Sequence, residues 1–395
     1  MRWLPGSLGM LAVLVLGAGL GWVALRLFEP EPTEPRTLPM VVPDDLVASP
    51  SRRLVDSGAD EPAEERADLR WVRRNNEAMA ELDAGHVARA IELFRECHEA
   101  EPENDIFRRN LAESLSRLAW QNYDEGGLKD ALATLEEAHT LAPERDDLTR
   151  QIARWRTELE LAANHVTAPG IYFELSYDAE REDLVLHAQT VLDFLEGGGG
   201  HVAAYEDMRN WFGIDPYLES GRKLRVVLYD RADFDTLTGL GDWAGGVFDG
   251  VLRITVEDLE TERSRWQRIL RHELVHAFVR EVGGRDVPGW LNEGLAQLLE
   301  GDVKVEQARR SLSGAEFFPL ERLRASLATW QRKEDIALAY AQSLALVEHL
   351  ERTYGSDELG RMLRGCKEGR TPAELFEERN GFGLDTVLED LRREL

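Results

Sequence analysis

Two short segments constrain this chain more than any other feature: His272-Glu273-Leu274-Val275-His276 and, further on, Trp290-Leu291-Asn292-Glu293-Gly294-Leu295-Ala296-Gln297. Two histidines at i and i+4 lie on one face of a helix, close enough to hold a single cation. The first segment must therefore be helical, and its pattern extends from about Leu259 to Val282. Neutral imidazole is a preferred zinc ligand, and a catalytic zinc takes three protein ligands and keeps a position for water. The third ligand has to come from a neighbouring element. Breaks at Gly283-Gly284 and Pro288-Gly289 allow a short turn and an antiparallel return, which sets Glu293 opposite the histidines. The expectation is one zinc ion per chain, held by His272, His276 and Glu293. Glu273 stands beside the first ligand, where it can take a proton from an attacking water.

The paired motifs resemble those of the gluzincin zinc metallopeptidases. Trp290-Leu291-Asn292-Glu293-Gly294 is similar to the segment found in aminopeptidase-like members and in small peptidase MA-like domains. The sixteen residues between His276 and Glu293 fall near, not on, the spacing of the larger enzymes. The resemblance runs from about Tyr172 to Leu395, loosely outside the two motifs. It implies a thermolysin-like α+β catalytic domain, a small sheet followed by helices, that hydrolyses peptide bonds in a protein or peptide substrate.

The resemblance reaches three further places. The stretch Gly246 to Val256 reads as a turn and strand and looks like the edge strand that pairs with an extended substrate in this family; an ordinary sheet strand is the other reading. Tyr340 stands where related domains carry a tyrosine near the metal, and its phenol would donate to the developing oxyanion; core packing is the competing account. Some gluzincins place an Asp four residues after the ligand Glu, but here the residue is Gln297. Glu300 or a backbone carbonyl must then accept the hydrogen bond that a metal-bound histidine needs. The Gly-Ala-Met-Glu-Asn motif of the aminopeptidase subgroup reads Gly-Gly-Val-Phe-Asp-Gly from Gly245 to Gly250. Endopeptidase cleavage is thus the expectation, rather than exopeptidase. The alternative is an inactive scaffold that keeps zinc for structure; the intact Glu273 weighs against it.

The rest of the chain divides into four parts. After Arg2, the run from Trp3 to Leu25 carries no charge, and a membrane-crossing helix needs about 20 such residues. Residues 1–28 therefore read as an uncleaved single-pass anchor, a cleaved signal peptide being the other reading, with the bulk of the chain outside the cytoplasm. Residues 29–66 are rich in proline and acid, from Pro30 to Pro62, and read as an extended spacer. Residues 67–166 are helical and repeat themselves: the segment Ala90 to Glu103 aligns with Ala131 to Glu144, each after a glycine-containing turn. This resembles the tetratricopeptide repeat, with the two units 41 residues apart rather than 34, so that the first helix of the second unit is expected to be longer. A helix from about Asp146 to Ala163 would cap the stack, and a protein partner could dock on it. Residues 167–395 form the catalytic domain, with strands expected at Ile171 to Tyr177 and Lys223 to Tyr229. Strands first and helices after, without regular alternation, give an α+β class.

A net charge of −27 excludes a nucleic-acid partner, which needs a basic face. Cys97 and Cys366 form no disulfide framework, and the former falls in a helical apolar pattern. The other histidines form no spaced cluster.

Overall fold

The computed structural model describes residues 63–239, 245–257, 259, 262–301, 304–325, 327, 330 and 332–395, with backbone alone at 63–69, 218 and 219. The expected anchor, Trp3 to Leu25, lies outside them. Among the described residues no helix is long and apolar enough to cross a membrane. The chain divides into two compact units, whose described parts meet at Ala163 and Asn164.

The first unit is all helix: α1 (Ala63–Asp83), α2 (Val87–Ala100), α3 (Asp105–Asp124), α4 (Leu128–Leu141) and α5 (Asp146–Leu161), each packed on the next. The internal repeat is visible in the burial. Helix α2 buries Ala90, Ile91, Phe94 and Cys97, and α4 buries Ala131, Leu132, Leu135 and Ala138, the same four positions 41 residues later. These are i, i+1, i+4 and i+7, one stripe of a helix. The small residues Ala90 and Ala131 are fully covered, which brings neighbouring helices close. Helix α3 has 20 residues, but α1 has 21, so the lengthening expected of the second unit is shared by the first. Buried polar side chains join neighbouring helices here: Asn110 Nδ2 donates to Asn75 Oδ1 at 2.8 Å, and the Tyr123 hydroxyl donates to Glu158.

The second unit opens with β1 (His165–Pro169), β2 (Phe173–Asp178), α6 (Glu182–Glu196), α7 (Ala204–Phe212), α8 (Pro216–Ser220), β3 (Leu224–Tyr229), α9 (Arg231–Thr238), β4 (Gly246–Phe248) and β5 (Leu252–Thr255). The strands form one sheet in the order β1-β2-β3-β5-β4. The inner three are parallel, while β1 and β4 join antiparallel at the two edges. Strand β3 falls within its expected segment, and β2 overlaps its own, starting two residues later and ending one residue beyond it. The Gly246 to Val256 stretch, expected as one turn and one strand, is a hairpin whose outer arm β4 is a sheet edge. Strand β1 and helix α9 are additions to the expected elements.

Helices follow: α10 (Arg263–Gly283), α11 (Gly289–Leu299), α12 (Val305–Leu312), α13 (Lys333–Tyr354), α14 (Ser356–Lys367), α15 (Pro372–Asn380) and α16 (Leu384–Glu394). Helix α10 is the axis of the unit. It packs on β4, β5, α7, α11 and α14, and Leu270, Leu274, Val275, Ala277 and Phe278 are all fully buried. A helix covered on every side has no solvent face for polar residues. Its histidines and glutamate are therefore in the interior, where burying them is costly unless each is paired or bound to an ion.

Candidate metal centre

The helix–turn–helix of α10 and α11 brings the three expected ligands together. One donor atom from each of His272, His276 and Glu293 lies within 4.8 Å of the others, and all three side chains are buried. Glu293 Oε2 is 3.7 Å from Nε2 of both histidines. Donors about 2.0–2.1 Å from a shared ion at tetrahedral angles would be about 3.3 Å apart, so the set needs only a small contraction to suit zinc. The close approach has a local cause. At Gly294, a Cβ would sit 2.4 Å from Val347 Cγ2 and 2.6 Å from the Ser343 carbonyl on α13. The missing side chain lets α11 lie against α13, and Glu293, one residue back, turns toward α10.

Both imidazoles are oriented from behind. His272 Nδ1 is 3.0 Å from Glu300 Oε2, and His276 Nδ1 is 2.8 Å from Asn292 Oδ1. A carboxylate and an amide oxygen can only accept, so both Nδ1 atoms carry hydrogen, and the Nε2 atoms that face Glu293 are the ones each ring can offer to a metal. That is the tautomer a metal ligand needs. Glu300 is thus the acceptor for His272, one of the two options the sequence left open. Asn292 is an acceptor the sequence reading missed, although it sits beside Glu293 in the motif itself. Gln297 binds no histidine. Its Nε2 donates to the carbonyls of Glu293 and Tyr340, at 3.2 and 3.1 Å, and so ties α11 to α13. Tyr340 is buried on the turn of α13 that this bond fixes.

The ring of acids sets the charge of the centre without an ion. Burial works against a charged His272, but hydrogen bonds to Glu293 and Glu300 and the nearby Glu273 outweigh it and push its pKa up to about 10. A divalent cation would replace that proton.

Glu273 is 1% exposed and faces the edge strand. At Gly246 of β4 an added Cβ would lie 3.3 Å from Glu273 Cγ. Further along, Arg280 of α10 lies over the Phe248 ring at 5.8 Å, so β4 runs beside α10 from Glu273 toward its C-terminal turn. The outer side of β4 pairs with no strand among the described residues. At its end, Asp249 Oδ2 accepts from Nε of the buried Arg253 at 3.1 Å, and Arg253 also donates to the Tyr229 hydroxyl.

Residues 226–395 match the model of the Peptidase MA superfamily. No curated protein and no solved structure matches the chain. The matched stretch runs from β3 to the C-terminus and holds the edge hairpin, Glu273, the three candidate ligands and both orienting acceptors: the chain carries a peptidase MA-like domain.

Proposed function

We propose that this chain is a zinc-dependent endopeptidase. The observation that carries the reading is the buried set of His272, His276 and Glu293, oriented from behind by Glu300 and Asn292, with Glu273 beside it. Two nitrogens and one carboxylate oxygen in a closed, buried arrangement suit zinc in a catalytic rather than a structural site, because structural sites use four protein ligands. Bound there, the ion would polarise the scissile carbonyl and lower the pKa of water to about 7.

The chain's own residues do the rest. An extended substrate adds to the outer side of β4, where backbone hydrogen bonds hold it in register beside Glu273. Glu273 takes the proton of the attacking water and passes it to the leaving nitrogen. Tyr340 is proposed to donate from its phenol to the oxygen that gains charge. Asp249 is the carboxylate at the end of the edge strand and is already bound to Arg253, so it is poorly placed to pair with a substrate's free amino terminus. Cleavage within a chain therefore fits better than removal of terminal residues.

In this reading, Trp3 to Leu25 anchors the enzyme in a membrane with the catalytic domain outside the cytoplasm. The α1–α5 unit is a tetratricopeptide-like module for a protein partner. The test of the enzyme is zinc content measured beside cleavage of an unstructured protein. Stoichiometric zinc, with cleavage lost to a chelator and restored by zinc, supports the reading. Carefully prepared protein with neither zinc nor cleavage refutes it.

A further inference from the structure

We infer that Gly246 is a positioning residue: its lack of a side chain sets the spacing between the edge strand β4 and the base Glu273, an inference that rests on the peptidase reading above. Three groups fill the space where a Cβ would project. Ile269 Cγ2 would be 2.9 Å away, Ile254 Cδ1 3.0 Å and Glu273 Cγ 3.3 Å. Carbon atoms in contact sit about 3.5–4.0 Å apart, so all three distances are too short.

None of the three neighbours can step aside freely. Ile269 is 6% exposed and branches at Cβ on the central helix α10, so its Cγ2 is held by the helix backbone. Ile254 is fully buried on β5, directly across from Gly246 in the antiparallel register. Glu273 is the base itself. A methyl group at position 246 must either lift β4 away from α10 or push the Glu273 side chain off its place. Both disturb the same quantity, the separation between a substrate lying along β4 and the carboxylate that activates water. With glycine there, the strand backbone rests directly on the methylene of Glu273.

The spacing explains a feature that hairpin geometry leaves unexplained. Gly250 serves the turn, with φ at +108°. Gly246 is the first residue of the paired strand β4, where glycine costs stability and marks a close approach of something to the backbone. Here that something is the base.

The experiment compares wild type, Gly246→Ala, and Gly246→Ala combined with Ile269→Ala, which removes Cγ2 and makes room for the new methyl. Three quantities are measured: zinc content, kcat and KM on an extended peptide, and amide hydrogen exchange at Val247 and Phe248. In Gly246→Ala, zinc content stays at the wild-type level while kcat/KM falls about 10- to 100-fold, the size of effect a small misplacement produces. Exchange at Val247 and Phe248 speeds up. Adding Ile269→Ala restores most of both, which a merely destabilising cavity mutation could not do. Wild-type kcat/KM and exchange in Gly246→Ala would overturn the inference. So would a loss of activity that follows zinc loss and is not relieved by Ile269→Ala. If wild type cleaves no peptide, the peptidase reading fails, and hydrogen exchange in the same three proteins still decides whether Gly246 sets the spacing.

Discussion

The helical unit and the α10–α11 centre bury polar groups in opposite ways. In the helical unit they include scattered hydrogen-bonded pairs, Asn75 with Asn110 and Tyr123 with Glu158. Around α10 they converge: His272, Glu273, His276, Asn292, Glu293 and Glu300 are all buried within two adjacent helices. A hydrogen-bonded pair satisfies its polar groups locally. A cluster holding three carboxylates and two imidazoles is stable only with a proton or a cation among them. The first pattern is that of a framework and the second that of a binding site, and the two should respond differently to substitution.

The sharpest break comes from His276→Ala, which removes one donor of three. Zinc content should fall from one per chain to near zero, while the far-ultraviolet spectrum of the helical unit is unchanged. Retained stoichiometric zinc would remove the centre from the account.

The metal-free protein offers the next contrast through pH. Its His272 has a pKa raised from 6.5 to about 10 in the folded state. A raised folded pKa contributes stability that is fully present below about 6.5 and is lost as pH rises through about 10. Thermal unfolding of the metal-free second unit should therefore move to lower temperature between pH 7 and 10. With zinc bound, His272 is neutral at all these values and that slope should vanish. A metal-free melting temperature flat over the same range would contradict the charge assignment.

Phe94→Ala cuts into the opposite region. Phe94 is fully buried in α2, and truncating such a ring costs about 3–5 kcal/mol. Denaturant unfolding should show that loss in the helical unit, with zinc affinity untouched. A parallel loss of zinc would mean the two regions are not energetically separate.

The smallest expected effect concerns the groups behind the ligands. Glu300→Ala and Asn292→Ala should each weaken zinc binding about 10- to 100-fold, measured by chelator competition, because each frees one imidazole to rotate. Gln297→Ala, which touches no histidine, should stay near wild type in the same assay. Equal losses in all three would show general loosening of α11 instead of specific orientation.

How much of this was legible in the sequence depends on what holds each element. The repeat in α2 and α4 was readable because burial alone fixes it, and burial leaves a periodic trace. The pairing of His272 and His276 was readable because they stand one helical turn apart, and the structure brings Glu293 to them. Strand β1 was not, because His165–Pro169 is mostly exposed and is held by its backbone ladder to β2, which any sequence can supply. The hairpin was read as a turn and one strand, and its first arm β4 was missed because it is only three residues long. Asn292 was overlooked for another reason. Its role follows from facing His276 across the turn, a relation in space that spacing along the chain does not encode. Tyr340 was placed by resemblance, and the carbonyl that Gln297 binds fixes its helix against α11.

The most direct test of the central claim is the activity of the zinc-loaded Glu273→Gln protein. Glutamine keeps the size of the side chain and can still accept a hydrogen bond, while His272, His276 and Glu293 remain to hold the metal. Zinc content and melting temperature should therefore match wild type, and the cleavage rate should fall about 10²–10⁴-fold, the usual effect of losing a positioned general base. Cleavage at the wild-type rate by the zinc-loaded variant would show that Glu273 is not the base and that the proposed mechanism is wrong.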